Sequence, residues 1–220
     1  MRCLAATTLA ASCACPLLAG ARNVAPSVAP DGAALLAKVI NRNAKLGSYR
    51  SAVAIAFRER TFPFLGARLT GHVYFEAPDR CAVVFAHVPR VMSRFPHAFA
   101  GMLDVPSWPK EYAVRSDGRR SVGGRTDESL RLTPKDRAAE MDHAEAFVDP
   151  ASLVIDEVDW TFRNGMEFDV TQRFSRLGSF LLLSTQHASI RVPFARVTSD
   201  ATFSDYQTNV AIDKSVFAQN

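Results

Sequence analysis

The chain has 220 residues, 48% of them hydrophobic, and 26 Lys+Arg against 22 Asp+Glu give a formal charge of +4. That length suits one domain with a core of its own rather than two. So mild a positive charge, with no basic-aromatic stripe, argues against nucleic acid as a partner.

The first predicted element is a leader. Arg2 opens residues 1–21, an uncharged apolar run follows, and Ala19-Gly20-Ala21 closes it with the small residues that a signal peptidase reads. This is the layout of a secretory signal peptide. Removing residues 1–21 from 220 leaves 199, with Cys81 the one cysteine remaining. Neither an intramolecular disulfide nor a Cys-rich metal site can then form, although an exported chain would tolerate disulfides. A second reading takes Leu9-Ala10-Ala11-Ser12-Cys13 as a loose lipoprotein box, which would leave the protein lipid-anchored through Cys13. The apolar run before Cys13 is short and a Pro-containing apolar stretch continues past it, so cleavage near Ala21 and a soluble product are expected. A transmembrane anchor fits less well, because the run falls short of about 20 apolar residues and is broken by Cys13-Ala14-Cys15-Pro16. The organisation expected is a signal peptide at 1–21, a small-residue linker at 22–30 and a single domain at 31–220.

Asp31 then caps a helix in which Leu35, Leu36, Val39, Ile40 and Ala44 recur at helical spacing, with Gly47 as the expected C-terminal cap. Strands follow. Tyr49, Ser51, Val53, Ile55 and Phe57 share one face, a turn runs from Phe62 to Gly66, and Leu69, Gly71, Val73 and Phe75 return on one face. Pro78-Asp79 turns the chain into a strand over 80–88, which completes an antiparallel meander. Residues 89–109 interrupt the rhythm with a short helix. Pro96 falls in its first turn, Phe95, Phe99, Met102 and Leu103 at helical spacing, and Pro106 and Pro109 beyond its end. Strands resume over 111–115, with Asp117-Gly118 as a hairpin signal, then around Leu130 and Leu132 and over 139–148. Val154, Val158, Trp160 and Phe162 lead to Asn164-Gly165, the strongest hairpin signal of the chain, and Met166 to Phe174 return. Two more strands are expected over 177–187 and 194–206, with Pro193 between them.

Roughly ten strands with a leading helix predict a mainly β fold with few helices. The expected architecture is a strongly curved antiparallel sheet, an incomplete β-barrel, with a short lid helix over its open side. There is no βαβ alternation to build a parallel nucleotide-binding sheet. Neither a Gly-x-Ser-x-Gly elbow, a His-Glu-x-x-His helix, a phosphate loop nor a Gly-x-Gly-x-x-Gly fingerprint occurs. The five histidines have no ligand pairing at two or four residues, so no metal, no cofactor and no enzyme activity is expected. Asp142-His143 and the pair Glu157/Asp159 read as charges on solvent-facing strand positions. Arg115, Arg119, Arg120 and Arg125, among glycines, read as a solvated hairpin, with an anionic membrane surface or an acidic partner as the functional alternative.

What remains is an apolar surplus: 15 Phe stand beside only 2 Trp and 4 Tyr. Any one of them is by default core. Phe and Met on the 95–103 helix, facing Phe on a curved sheet, also fit a cavity for an apolar ligand.

Several short motifs sharpen this. Leu69-Thr70-Gly71-His72-Val73-Tyr74-Phe75-Glu76-Ala77-Pro78-Asp79-Arg80 resembles the Gly-strand-Pro-Asp-Arg turn of LolA/LolB-like outer-membrane lipoprotein-sorting proteins. Leu130-Arg131-Leu132-Thr133-Pro134-Lys135 is similar to that superfamily's Leu-x-Leu-x-Pro strand end, the hairpin at 154–165 to its central hairpin, and Phe203 to Asn209 with Phe217 to its closing strand and C-terminal Phe. The resemblance spans most of 31–217. It implies an incomplete barrel in the periplasm, with helices over the mouth, that holds lipoprotein acyl chains or another lipid without covalent chemistry. Specialised carriers of the family place an Arg on an early strand, a role for which Arg58 and Arg60 are the candidates. A lid that must open to load should be only marginally packed. The expected ligand contacts are Phe75, Phe85, Phe168 and Phe180 on the concave face and Phe95, Phe99, Met102 and Leu103 on the lid; a one-residue phase error would flip a strand's set to the other face. The expected partners are lipid or lipoprotein acyl chains, with an inner- or outer-membrane protein or an anionic membrane surface as further partners. The alternatives are a same-fold sensor module that regulates a membrane protein and, ranked last, a hydrolase.

Overall fold

The computed structural model describes residues 31–60, 66–90, 95–192 and 195–219. The expected signal and linker at 1–30, most of the turn from Phe62, Met92 and Pro193 lie outside the described residues, as do the side chains of Phe95 and Pro96.

The architecture is mainly β, as expected. Ten antiparallel strands form one sheet in the order β3-β2-β1-β10-β9-β8-β7-β6-β5-β4. They are β1 (Ser48–Glu59), β2 (Gly66–Glu76), β3 (Arg80–Phe85), β4 (Tyr112–Val122), β5 (Arg125–Pro134), β6 (Met141–Asp149), β7 (Val154–Phe162), β8 (Glu167–Leu177), β9 (Phe180–Val192) and β10 (Ala195–Thr208). Pairing of β1 with β10, Tyr49 opposite Thr208, joins the two ends of the domain, and the sheet does not close because β3 and β4 remain its edges. The chain leaves at edge β3 and re-enters at edge β4. The connection between them carries α2 (Phe95–Leu103), a 3-10 turn (Val105–Ser107) and α3 (Trp108–Glu111), so it spans the open side of the sheet.

The leading helix α1 covers Gly32–Asn41, and the Asp31 carboxylate accepts the Ala33 N–H at 3.1 Å. Its Leu35 and Leu36 are buried, with Val39 and Ile40 half-buried beside them. The helix stops earlier than expected, and Gly47 is not its cap: the Gly47 N–H donates to Asn209 Oδ1 at 2.8 Å. Beyond Asn41 the backbone finds other partners. Asn43 donates to the Leu181 carbonyl at 3.0 Å and accepts the Leu181 N–H at 3.3 Å, an alternative to another helical turn.

A second difference lies in the first hairpin after α3. Asp117-Gly118 is a bulge, not the turn: the register jumps from Ser116 opposite Leu130 to Arg119 opposite Glu128, with Gly118 at φ 90°. The turn falls at Gly123-Gly124, both with positive φ, which a tight hairpin requires. The asparagine-glycine turn is as expected, with Gly165 at φ 81° between β7 and β8.

Two hydrophobic cores pack against the sheet. One joins Leu35, Leu36, Trp108, Leu130, Leu132 and Trp160 across α1, α3 and β5–β7, with Trp108 and Trp160 edge-to-face at 5.6 Å. The other joins Val53, Ile55, Leu69, Val83, Phe99 and Phe203 across β1–β3, β10 and α2.

Candidate functional site

Between the two cores lies a cavity of about 370 Å³, within the range of small-molecule sites. Each wall has a distinct origin. Val39 and Ile40 come from the last turn of α1, and Arg42, Asn43 and Ala44 from the turns that replace its next coil. Met102 and Leu103 end α2, and Val105 and Pro106 continue that wall. The sheet supplies Tyr49, Phe75, Gln172, Phe174 and Tyr206. Leu181, Leu182 and Leu183 all line the cavity, just before Ser184, the extra residue of β9 where its register with β8 shifts.

Apart from Arg42, the polar side chains that line the cavity are uncharged. Tyr49 stacks on Phe75 at 5.4 Å and lies 5.5 Å from the Tyr206 ring; burial pushes both phenols above their ordinary range. The Tyr206 hydroxyl donates to the Leu183 carbonyl at 2.6 Å, and Gln172 Nε2 to Gln186 Oε1 at 3.1 Å. Behind Phe75, burial and then the nearby Asp104 push the Cys81 thiol up to about 12, so it stays protonated and is a poor nucleophile. Asp104, just past α2, is raised chiefly by burial, against which the Ser107 hydrogen bond pulls. Among the described residues no group of three or more His, Cys, Asp or Glu side chains is placed to hold a metal ion. The arrangement can enclose an apolar body.

Of the residues expected from the sequence, Phe75, Met102 and Leu103 line this cavity together. Phe99 and Phe85 sit elsewhere: Phe99 is 3% exposed, stacks on Phe203 with centroids 6.3 Å apart and meets Phe85 at 6.4 Å, which fastens α2 to the core under β1–β3. Phe168 packs on Phe162 at 4.9 Å, against the other core. Phe180 is half-buried one residue before the lining Leu181, and the side chain of Phe95 is outside the described residues. Sequence reasoning assigned no ligand contact to α1 or the turns after it, although Val39 and Ile40 stood on its apolar stripe. Tyr49 and Tyr206 also went unassigned, because tyrosine on a strand face signals core as readily as cavity.

No protein-family model and no curated protein matches the chain. Solved structures do. A LolA superfamily protein from Nitrosomonas europaea superposes with a TM-score of 0.67 at 12% identity, covering 85% of this chain and 97% of the other. A DUF1329 family protein from Desulfovibrio piger gives 0.65 at 12% identity over 85% and 97% of the two chains. A putative outer-membrane lipoprotein-sorting protein domain from Vibrio parahaemolyticus gives 0.63 at 11% identity over 84% and 96%. At such identities the likeness is one of fold.

Proposed function

We propose that this chain, which has the LolA-like fold, binds the acyl chains of lipids or lipoproteins in the cavity between its two cores and carries them through the periplasm without covalent chemistry. The observation that carries this reading is the apolar cavity walled by the end of α1 and by the connection that spans the open side of the sheet. Each methylene buried there would contribute about 0.8 kcal/mol, offset by the ordering of chain and protein. Phe75, Met102 and Leu103 are the first contacts in this reading, with Ile40 and Leu183 opposite. Widening the mouth requires α2 to move, and the Phe99 contacts with Phe203 and Phe85 are what it must slide over or break. Phe95, Phe168 and Phe180 would be reached only by a longer or second chain.

In the same reading residues 1–21 are the export signal and cleavage near Ala21 releases a soluble carrier. The intact mass of the exported protein separates this from a species lipidated on Cys13. The test of binding is mass spectrometry of lipid co-purifying with the mature protein, together with displacement of a fluorescent acyl probe. Co-purifying lipid and saturable, displaceable probe binding are expected. A protein that emerges without lipid and binds no probe would refute the carrier.

A further inference from the structure

Arg42 is the one charged residue among the described residues lining the cavity. It is half-buried, and its guanidinium is held in place: Nη2 donates to the Leu181 carbonyl at 2.7 Å and the group lies 5.9 Å from the centroid of the Phe174 ring. That leaves most of its five donors without an acceptor among the described residues. Arg42 has no carboxylate within salt-bridge distance among the described residues, unlike Arg58, Arg80, Arg119, Arg120, Arg125, Arg131 and Arg191. Other arginines, Arg50 and Arg176 among them, share that condition; what distinguishes Arg42 is its place on the cavity wall. Burial, and then the Arg176 cation nearby, push its guanidinium below its ordinary value. A partly desolvated cation with a like charge beside it and no counter-ion is costly to keep. A planar fork with free N–H groups suits a carboxylate or a phosphate, which it can meet bidentately.

Resting on the acyl-chain reading above, we infer that the cavity selects amphiphiles with an anionic head group, which Arg42 holds at the rim while the tail lies among the apolar walls. The shared chemistry is a singly attached oxyanion, whether the carboxylate of a fatty acid or the phosphate of a phospholipid-like monoester. Asn43, fixed on the Leu181 backbone, keeps the turn that presents Arg42 from shifting. Glutamine at position 42 would preserve a donor for the Leu181 carbonyl and remove the charge.

The experiment is calorimetric titration of the mature protein with laurate, dodecyl phosphate and dodecanol below their micelle concentrations, repeated on Arg42→Gln and Arg42→Met. At least one of the two anions is expected to bind about tenfold tighter than dodecanol, the worth of a charge-assisted hydrogen bond. Preference for laurate alone assigns the carboxylate, and for dodecyl phosphate alone the phosphate. In Arg42→Gln the anions should fall to the affinity of dodecanol, whose own binding should hold. Arg42→Met should behave alike; the wild-type comparison and Arg42→Gln decide the matter if it does not fold. Equal binding of all three amphiphiles to wild type, or a preference that survives Arg42→Gln, overturns the head-group assignment while leaving the acyl-chain reading in place. No binding of any of them overturns both.

Discussion

On the outer face of the sheet, five side chains stand opposite one another in a single row across the strands. Arg115 pairs with Arg131, Arg131 with Glu145, Glu145 with Asp159, and Asp159 with Asp169. Like charges directly opposite are destabilising, and this row holds three acids in succession. Burial, then Glu157 and Asp169, push the Asp159 carboxyl up to about 6, with Arg120 pulling the other way. A carboxyl raised in the folded state binds more protons there than in the unfolded chain. Between about pH 4 and 6 stability therefore falls as pH rises. Asp159→Asn should remove that decline. At pH 7 it should gain on the order of 1 kcal/mol after solvent screening, and near pH 4 it should match wild type. Urea melts at the two pH values check this, and equal stability at pH 7 would sink it. On the inner face, Trp108 is 1% exposed and its Nε1–H has no acceptor among the described residues. Trp108→Ala should cost about 3–5 kcal/mol. Trp108→Phe, which also removes the unmet donor, should cost less than half as much in the same melts. The alternation that put Val158 and Trp160 inward and Asp159 outward was legible in the sequence. Which outward charges face each other was not, because that depends on register.

At the scale of elements, two glycines separate seating from propensity. Gly32 begins α1, and a Cβ there would come 2.5 Å from backbone atoms of Arg115 and Ser116 on β4. Gly32→Ala should lift α1 away from β4, cost about 1–3 kcal/mol and weaken acyl-probe binding, since Val39 and Ile40 form one cavity wall. Gly101 lies on α2 with nothing within 4 Å of such a Cβ. Gly101→Ala should therefore stabilise by about 0.5–1 kcal/mol through helix propensity alone. Thermal melts and probe titration of both variants separate the cases; a harmless Gly32→Ala would mean that α1 is not seated through Gly32. The elements themselves could be read from periodicity, including the interrupting helix at 95–103. Their ends could not. The hairpin of β4 and β5 runs past Asp117-Gly118 because Arg119 and Arg120 find partners on β5, and α1 stops at Asn41 because Leu181, 138 residues away from Asn43, offers its backbone.

For the whole molecule, the decisive feature is that the sheet stays open and the chain crosses between its two edges. That crossing separates two cores and leaves the cavity at their seam. Ile40→Trp should fill the seam: the protein should fold with its ordinary far-ultraviolet circular dichroism and lose acyl-probe binding at least about tenfold. Wild type should in turn be stabilised by bound ligand, by about 2.7 kcal/mol at one hundred times the dissociation constant, visible as a concentration-dependent melting temperature. An Ile40→Trp protein that still bound the probe normally would place the ligand elsewhere.

The sequence by itself determined the class of fold, the strand count, the leading helix and the short helix that interrupts the strands. These follow from local periodicity, caps and turn residues, each written within about a dozen neighbours. The tertiary structure decided which apolar side chains fill the cores and which line a space. Phe99 and Met102 stand on one short helix, yet Phe99 is locked against Phe203 while Met102 faces the cavity. Nothing local distinguishes the two, because a cavity is defined by what fails to meet across it. Arg42 makes the same point in charge: its meaning comes from its place on the cavity wall, with no carboxylate beside it among the described residues.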